Sequence, residues 1–524
     1  MAQLPKHERY MDSYLPGDTY WGLGIENETY IELKGRVWAC AEFIKHHQKR
    51  ERYSVNYWQL YKDGVVENVI NEWIETLPEK ELTQVRLPLL MNAHSFTKTD
   101  ANLEAQTTYT KVSRPNTKFG GKTLLEELEL TNRSVFKDGR DLWWTFDGDT
   151  VEFMTQNFYC AKMEDVLDEL AAYKARWLAA VQHGLGTLEE KNAVFKRTVG
   201  FPEKNYGLAI FLTNRENTAI FNNGTYHINI TLPTYLDKNA EIADMAGFTK
   251  RHCAVARLFQ WMSPLLIAKF GSPDIFALLT KKRHNAYPIG SQRLCSSRYI
   301  SVGTYDTNKM RAGKILTEPY VRQNGRWYEK VYDNPECAYS ILPALGLDIN
   351  FKKHGNHGLE LRIFDWFPDN MLPDVMRLVI WMCDEALASD SDILDARTNT
   401  IWNDFTARCI WHGAGVILTA AEVELFSSVF RCKFHTGMEV LAVYDTIWKT
   451  WRDRWNWSVG SCTSKMIRRP LNIPRPHPPV RPPNVPLRQI PAPASVVDPT
   501  PIRTVPVVGS TKKSCAGRSG CFIM

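Results

Sequence analysis

The strongest constraint on this chain is a set of polar pairs, spaced two residues apart, inside otherwise apolar, strand-like stretches. Glu26 and Glu28 lie in Tyr20-Trp-Gly-Leu-Gly-Ile-Glu-Asn-Glu-Thr-Tyr-Ile-Glu-Leu33. His227 and Asn229 lie in Asn223-Gly-Thr-Tyr-His-Ile-Asn-Ile-Thr-Leu-Pro233, and Glu360 and Arg362 in His357-Gly-Leu-Glu-Leu-Arg-Ile-Phe-Asp-Trp-Phe-Pro368. Side chains alternate faces along a strand, so residues i and i+2 point the same way. Each pair puts two metal- or anion-binding groups on one face and leaves apolar neighbours to bury the other. A single pair of this kind describes the wet side of any sheet. Three pairs, with Glu152 in Gly148-Asp-Thr-Val-Glu-Phe-Met154, point to one shared polar sheet face.

The residue types on that face suit phosphoryl chemistry. Paired glutamates suit Mg²⁺, a hard ion that takes carboxylate oxygens together with nucleotide phosphate oxygens. An arginine fork binds phosphoryl or carboxylate groups bidentately. An imidazole and an amide on a third strand complete a nucleotide–metal shell. Carboxylates, Arg and His on one face fit phosphoryl transfer from ATP, where the protein positions groups and neutralises charge.

These segments also resemble a known superfamily. Gly24-Ile-Glu-Asn-Glu28 resembles the G-x-E-x-E strand of the glutamine synthetase/glutamate–cysteine ligase superfamily. Thr150-Val-Glu-Phe-Met-Thr155 resembles its next acidic strand, particularly that of the amidoligases (carboxylate–amine ligases). Gly224-Thr-Tyr-His-Ile-Asn229 is similar to its His-bearing strand, and Gly358-Leu-Glu-Leu-Arg362 to its closing E-x-R strand. The four motifs stand in family order across roughly residues 20–370. The resemblance implies an α+β fold: an antiparallel sheet curled into a funnel, with flanking helices, holding ATP and two or more Mg²⁺. It implies attack of a carboxylate on the ATP γ-phosphate and capture of the acyl phosphate by an amine, the substrates being small molecules or peptides. Glu26, Glu28, Glu152 and Glu360 would be metal ligands, with His227 and Asn229 at the metal–nucleotide shell. Arg362 would neutralise the transferred phosphoryl, and Arg293 and Arg298 match the family's substrate or phosphate arginines loosely. Residues 91–140 and 306–356 have no counterpart in the family pattern, which leaves the acceptor pocket and the general base undefined.

Reading along the chain, a ligase domain is expected over residues 1–465. Its opening strand runs from Tyr20 to Leu33, and a helix from Val66 to Thr76. Residues 91–140 read as a polar insertion or mobile loop over the site, followed by a hairpin around Asp147-Gly148. A helix follows over Met163–Ala180, then strands over 206–213 and 225–231. A helix over Ile242–Phe270 should be interrupted at Ser263-Pro264. A strand over Leu359–Phe364 leads into a helical part over 369–457. In that part, Ile447-Trp-Lys-Thr-Trp-Arg-Asp-Arg-Trp-Asn-Trp457 reads as a helix docking an aromatic stripe on the core. Phe119-Gly-Gly-Lys-Thr123 ends like a phosphate loop, but Asn116 stands where that loop needs glycine, so a surface turn opening a helix is expected. His46, His47, His354 and His357 read as surface histidines.

Composition excludes several classes. No run approaches the ~20 apolar residues of a membrane span, and the N-terminus has no apolar signal core. The 11 cysteines form no CxxC pair and read as reduced thiols rather than a zinc or disulfide framework. The net charge of +6 resides in residues 471–524, so the body offers no nucleic-acid-binding surface.

From residue 466 to 524 proline recurs and apolar periodicity ends. Such a segment cannot bury enough surface to offset its ordering entropy, and is expected to be a disordered, partly polyproline II tether. Pro476-His-Pro-Pro479-Val-Arg481 and Pro483-Asn-Val-Pro486-Leu-Arg488 fit the PxxPxR pattern of an SH3-type partner, a pattern that proline-rich spacers also produce by composition. The chain ends Cys521-Phe-Ile-Met524, a C-a-a-X farnesylation pattern, with Lys512, Lys513 and Arg518 upstream and Cys515 available for palmitoylation. The expected location is cytoplasmic, peripheral on the cytosolic face of a membrane. Two other readings remain: a scaffold on an inactive ligase fold, working through its tail, and a phosphotransferase that stops at phosphorylation. The full chain expressed in a eukaryotic cell is predicted to fractionate with membranes, and Cys521→Ser to shift it to the soluble fraction. Unchanged partitioning would remove the lipid-anchor reading.

Overall fold

The structure, a computed structural model, describes residues 19–39, 86–97, 122–148, 150–156, 163–191, 198–207, 224–235, 242–273, 289–291, 349–350, 358–388, 393–396 and 399–455. The chain divides into two compact units, Met1–Pro474 and Arg475–Met524, and every described residue belongs to the first. The helix expected over 66–76, the strand expected over 206–213 beyond Gly207, and the tail with its SH3-type and lipidation motifs lie outside the described residues. So do His46, His47, His354 and His357.

The architecture is α+β. Strands β1 (Thr19–Thr29), β2 (Ile31–Ala39), β3 (Arg86–Met91), β4 (Trp144–Asp147), β5 (Thr150–Met154) and β6 (Thr198–Gly200) precede β7 (Gly224–Tyr235), β8 (Ile349–Asn350) and β9 (Leu359–Phe364). A six-stranded sheet has the order β4-β5-β1-β7-β9-β8, and a three-stranded sheet the order β3-β2-β6. Every pairing in both is antiparallel. The single opening strand expected from Tyr20 to Leu33 is therefore two strands. The chain leaves the first sheet after Thr29 and joins the second at Ile31, with Tyr30 buried at the corner.

Two glycines let the ligand-bearing strands approach their neighbours. Gly224, at φ +126°, opens β7, where a Cβ would stand 1.7 Å from the Glu28 carbonyl oxygen. Gly358, at φ +144°, precedes β9, where a Cβ would stand 2.2 Å from the Ile230 carbonyl oxygen. Both positions exclude any side chain. Gly148 supplies a left-handed turn between β4 and β5, so the Asp147-Gly148 hairpin forms as expected.

Helices α1 (Ala93–Thr97), α2 (Leu124–Thr131), α3 (Arg133–Phe136) and α4 (Met163–Lys191) flank one half of the main sheet. Part of the stretch read as a polar loop over 91–140 is thus helical, because Leu124, Leu125, Leu128, Val135 and Phe136 find burial there. Thr123 caps α2 in a reciprocal capping box with Glu126, so the described end of that segment, Lys122-Thr123, opens a helix as expected.

Helix α5 (Met245–Phe270) packs on β7 and β9. It runs through Pro264 without the expected interruption. Pro264 cannot donate to the Gln260 carbonyl, and the Ser263 hydroxyl donates to it instead at 2.8 Å. Four further helices, α6 (Leu372–Ala388), α7 (Thr400–His412), α8 (Ala420–Phe430) and α9 (Val440–Trp455), complete the helical part. In α9, Val440, Val443, Tyr444, Ile447 and Trp451 form the buried stripe, so the Trp-rich segment docks on the core. Among the described residues, no helix is long and apolar enough to cross a membrane. Cys253, Cys383, Cys409 and Cys432 are free thiols.

Trp177 of α4 is the hub of the core beneath β4 and β5. It is fully buried and meets Phe96, Phe136, Trp144 and Phe153 at centroid distances of 5.5, 6.2, 5.7 and 5.7 Å. Trp177→Ala is predicted to lower unfolding free energy by about 3–5 kcal/mol, the usual cost of a large aromatic cavity, read by denaturant titration.

Candidate active site

Register brings the polar pairs together. β1 lies between β5 and β7, and β7 lies between β1 and β9, so the four strands carrying the sequence motifs are consecutive neighbours. Glu28 stands opposite Glu152, Glu26 opposite His227, Gly24 opposite Asn229, and Asn229 opposite Glu360. Residues that face one another across antiparallel strands share a face. A register irregularity between β7 and β9 falls beside His227, and Arg362 reaches past it to the same cluster. The helices cover the opposite face, where Asn27 meets Lys174 of α4 and Phe364 meets Phe259 and Phe270 of α5.

This polar face is not a wet one. Glu26, Glu28 and Glu152 are each 8% exposed, His227 3% and Glu360 0%. Asn229 and Arg362 are half-buried. His227 sits at the centre. Its Nδ1 lies 3.4 Å from Glu26 Oε2 and 3.3 Å from Glu360 Oε1, and its Nε2 lies 3.7 Å from Glu28 Oε1. The Thr225 hydroxyl oxygen is 3.2 Å from that Nε2. Arg362 Nη1 donates to Glu360 Oε1 at 2.8 Å, and Asn229 Nδ2 donates to Glu26 Oε1 at 3.4 Å.

Four carboxylates and one guanidinium leave this buried face with an excess of acid. Carboxylates opposite one another in a sheet repel, and burial sharpens the cost. The surroundings respond in two ways. Burial pushes the Glu28 carboxyl above the usual glutamate range; Asp147 and Glu26 add to this, while His227 and Arg362 oppose it. Burial disfavours the Arg362 charge, but Glu360, Glu28 and Glu26 outweigh it and hold the guanidinium ionised more firmly than usual.

The remaining demand is for a cation, and the donor set fits one. Ligand atoms of Glu26, Glu152 and His227 all lie within 4.8 Å of one another. That spread suits a six-coordinate divalent ion, whose opposite ligands stand about 4–5 Å apart. Carboxylate oxygens favour Mg²⁺ or Mn²⁺, and one imidazole is compatible with either.

Arg293 and Arg298 lie outside the described residues, as do Cys515 and Cys521. Ser291, two residues before Arg293, donates its hydroxyl at 3.0 Å to buried Asp365 at the end of β9. Sequence reasoning missed three participants. Asp147 was read only as a turn residue, yet it lies on β4 and its charge acts on Glu28. Thr225 belongs to the β7 motif but was not singled out. Lys174 occupies the apolar stripe Leu170, Lys174, Trp177, Val181 of α4, and a lysine at such a position was the available signal.

No family model matches the chain. Over 417 residues it is 37% identical to the uncharacterized protein R704 of Acanthamoeba polyphaga mimivirus, an alignment covering 78% of this chain and 70% of that protein. The chain belongs to the family of that mimivirus protein. Membership brings no activity with it, and the chemistry rests on the site residues.

Because Glu28 titrates higher folded than unfolded, its contribution to stability is present below the ordinary glutamate range. That contribution is lost as pH rises through the folded value. The metal-free protein is therefore predicted to lose melting temperature as pH rises just above the usual glutamate range, at about pH 4.5 and upward. Glu28→Gln should flatten that slope, and added Mn²⁺ should restore the loss progressively with pH. Thermal melts in chelator and in metal, from about pH 4 to 8, read all three effects. A wild-type slope equal to that of Glu28→Gln would remove the raised carboxyl from the account.

Proposed function

We propose that this protein is an ATP- and Mg²⁺-dependent carboxylate–amine ligase with a glutamine synthetase-like catalytic fold. One observation carries the reading: the four motif-bearing strands, in the superfamily's chain order, lie side by side and direct their acids, His and Arg onto one buried face. An isolated resemblance of short motifs would not require this convergence, whereas a shared catalytic sheet does.

Glu26, Glu28, Glu152 and Glu360 are assigned to metal ligation. Bound ATP and Mg²⁺ would supply the phosphoryl group that activates a carboxylate and the positive charge that the acidic face lacks. His227, which completes the donor set and lies between the carboxylates of β1 and β9, and Asn229, which donates to Glu26, are assigned to the metal–nucleotide shell. Arg362, anchored by Glu360 and half-buried, would receive negative charge developing on a transferred phosphoryl. Arg293 and Arg298 are assigned to substrate or phosphate binding. The Pro-rich tail, with lipidation at Cys521 and Cys515, tethers this domain to a cytosolic membrane face and makes its PxxPxR segments available to an SH3-type partner.

The test is ADP release from the full chain with Mg²⁺ and ATP across a matrix of amino acids and amines, with Glu152→Gln beside it. One carboxylate–amine pair is expected to raise ADP release, and the product mass then names the bond. Glu152→Gln is expected to lower the rate at least about 100-fold, since losing even an outer-shell partner of a metal costs 10–100-fold. ADP formation with a stable phosphorylated product and no amine requirement would favour the phosphotransferase reading. No turnover, together with no shift of melting temperature by Mg²⁺–ATP, would leave the scaffold reading.

A further inference from the structure

Behind the acidic face, on the other side of the sheet, lies a polar network that ligand assignment does not use, buried at Asn27, Lys174 and Tyr226 and ending on the exposed Asp369. Asn27 sits between Glu26 and Glu28 on β1, and alternation turns it toward α4. It is 1% exposed, and Lys174 is 5% exposed. Lys174 Nζ donates to Asn27 Oδ1 at 2.8 Å and to Asp369 Oδ2 at 2.6 Å. The Tyr226 hydroxyl donates to the other Asp369 oxygen, and Tyr226 immediately precedes His227. Asn27 Nδ2 in turn donates to the Thr225 carbonyl on β7 at 3.2 Å. Asp369 follows β9 and opens the turn into α6.

One ammonium therefore links β1 to the turn that follows β9 and, through Asn27 and Asp369, reaches β7; Asn27 and Tyr226 each adjoin a proposed ligand. Tyr226 is further fixed by stacking on Phe367 at 4.4 Å. Burial pulls the Lys174 pKa below the usual lysine range, with Asp369 opposing, so the charge is held there at a cost. Simple packing does not require that cost, because an apolar side chain at position 174 would fill the stripe between Leu170 and Trp177 without a charge to desolvate.

We propose that Lys174 is a positioning residue that, through Asn27, Asp369 and Tyr226, fixes the relative placement of the β1 and β7 ligands. The inference rests on the metal-binding reading of the acidic face. Carboxylates in a buried cluster repel and would spread without an ion. A tether on the reverse face holds their strands in place before the ion arrives, and such preorganisation raises affinity without touching the ion.

The test compares wild type, Lys174→Met and the double variant Lys174→Met/Asn27→Leu. The single variant strands the Asn27 carbonyl oxygen, so it is expected to lose both melting temperature and Mn²⁺ affinity. The double variant removes that stranded group and is expected to recover melting temperature, yet still bind Mn²⁺ at least about tenfold more weakly than wild type. Hydrogen exchange in the metal-free double variant should quicken in residues 24–29 and 224–230 and not elsewhere. Recovery of Mn²⁺ affinity together with stability would overturn the proposal and leave Lys174 a packing residue. Failure of the wild type to bind Mn²⁺ would instead remove the metal reading, and the exchange pattern would still decide whether Lys174 tethers the two strands.

Discussion

The antiparallel pairing of β1 with β5 on one side and β7 on the other is the constraint on which the remaining structure depends. It sets Glu28 against Glu152 and Glu26 against His227. With β9 paired to β7, Glu360 and Arg362 join the same face. A one-residue slip in any of these pairings would turn a ligand strand over and send its carboxylates into the helical core. The register is held from the other face, where Ile25, Ile228, Leu361 and Phe153 must meet α4 and α5. Hydrophobic burial on one side thus dictates electrostatic crowding on the other.

Solvent relieves little of that crowding, because the four carboxylates are themselves buried. Charge is managed locally instead: Arg362 clamps Glu360, His227 lies among three carboxylates, and Glu28 gives up part of its acidity. These adjustments lessen the excess and do not cancel it. The divalent cation proposed for this acidic face would supply the positive charge that it lacks. A steric constraint acts beside the electrostatic one: glycine must occupy positions 224 and 358, because the strands bringing His227 and Glu360 approach their neighbours too closely there for any Cβ.

The two sides of β1 carry different polar systems. One faces the proposed ion, and the other carries Asn27, Lys174, Asp369 and Tyr226. Three successive residues of one strand, Glu26, Asn27 and Glu28, belong alternately to each. The strand therefore links the helical scaffold to the site, and α4 acts on the ligands without reaching them.

Much of the site was legible in the sequence because strand geometry is local. A spacing of two residues puts Glu26 with Glu28, His227 with Asn229, and Glu360 with Arg362 whatever the fold does later. The hairpin at Asp147-Gly148, the strand over Leu359–Phe364 and the stripe of α9 follow likewise from period and turn chemistry. Other features were set at long range. The break at Tyr30 reflects a change of sheet that no local signal marks, and α5 continues past Pro264 where it packs on β7 and β9. By itself, the sequence determined which side chains share a strand face. Only the tertiary structure decided which strands adjoin, that the acids of their common face are buried, that the charge of Asp147 acts on Glu28, and that Lys174 lies behind the face on Asn27. Those properties arise from contacts between residues more than a hundred positions apart, which no local period encodes.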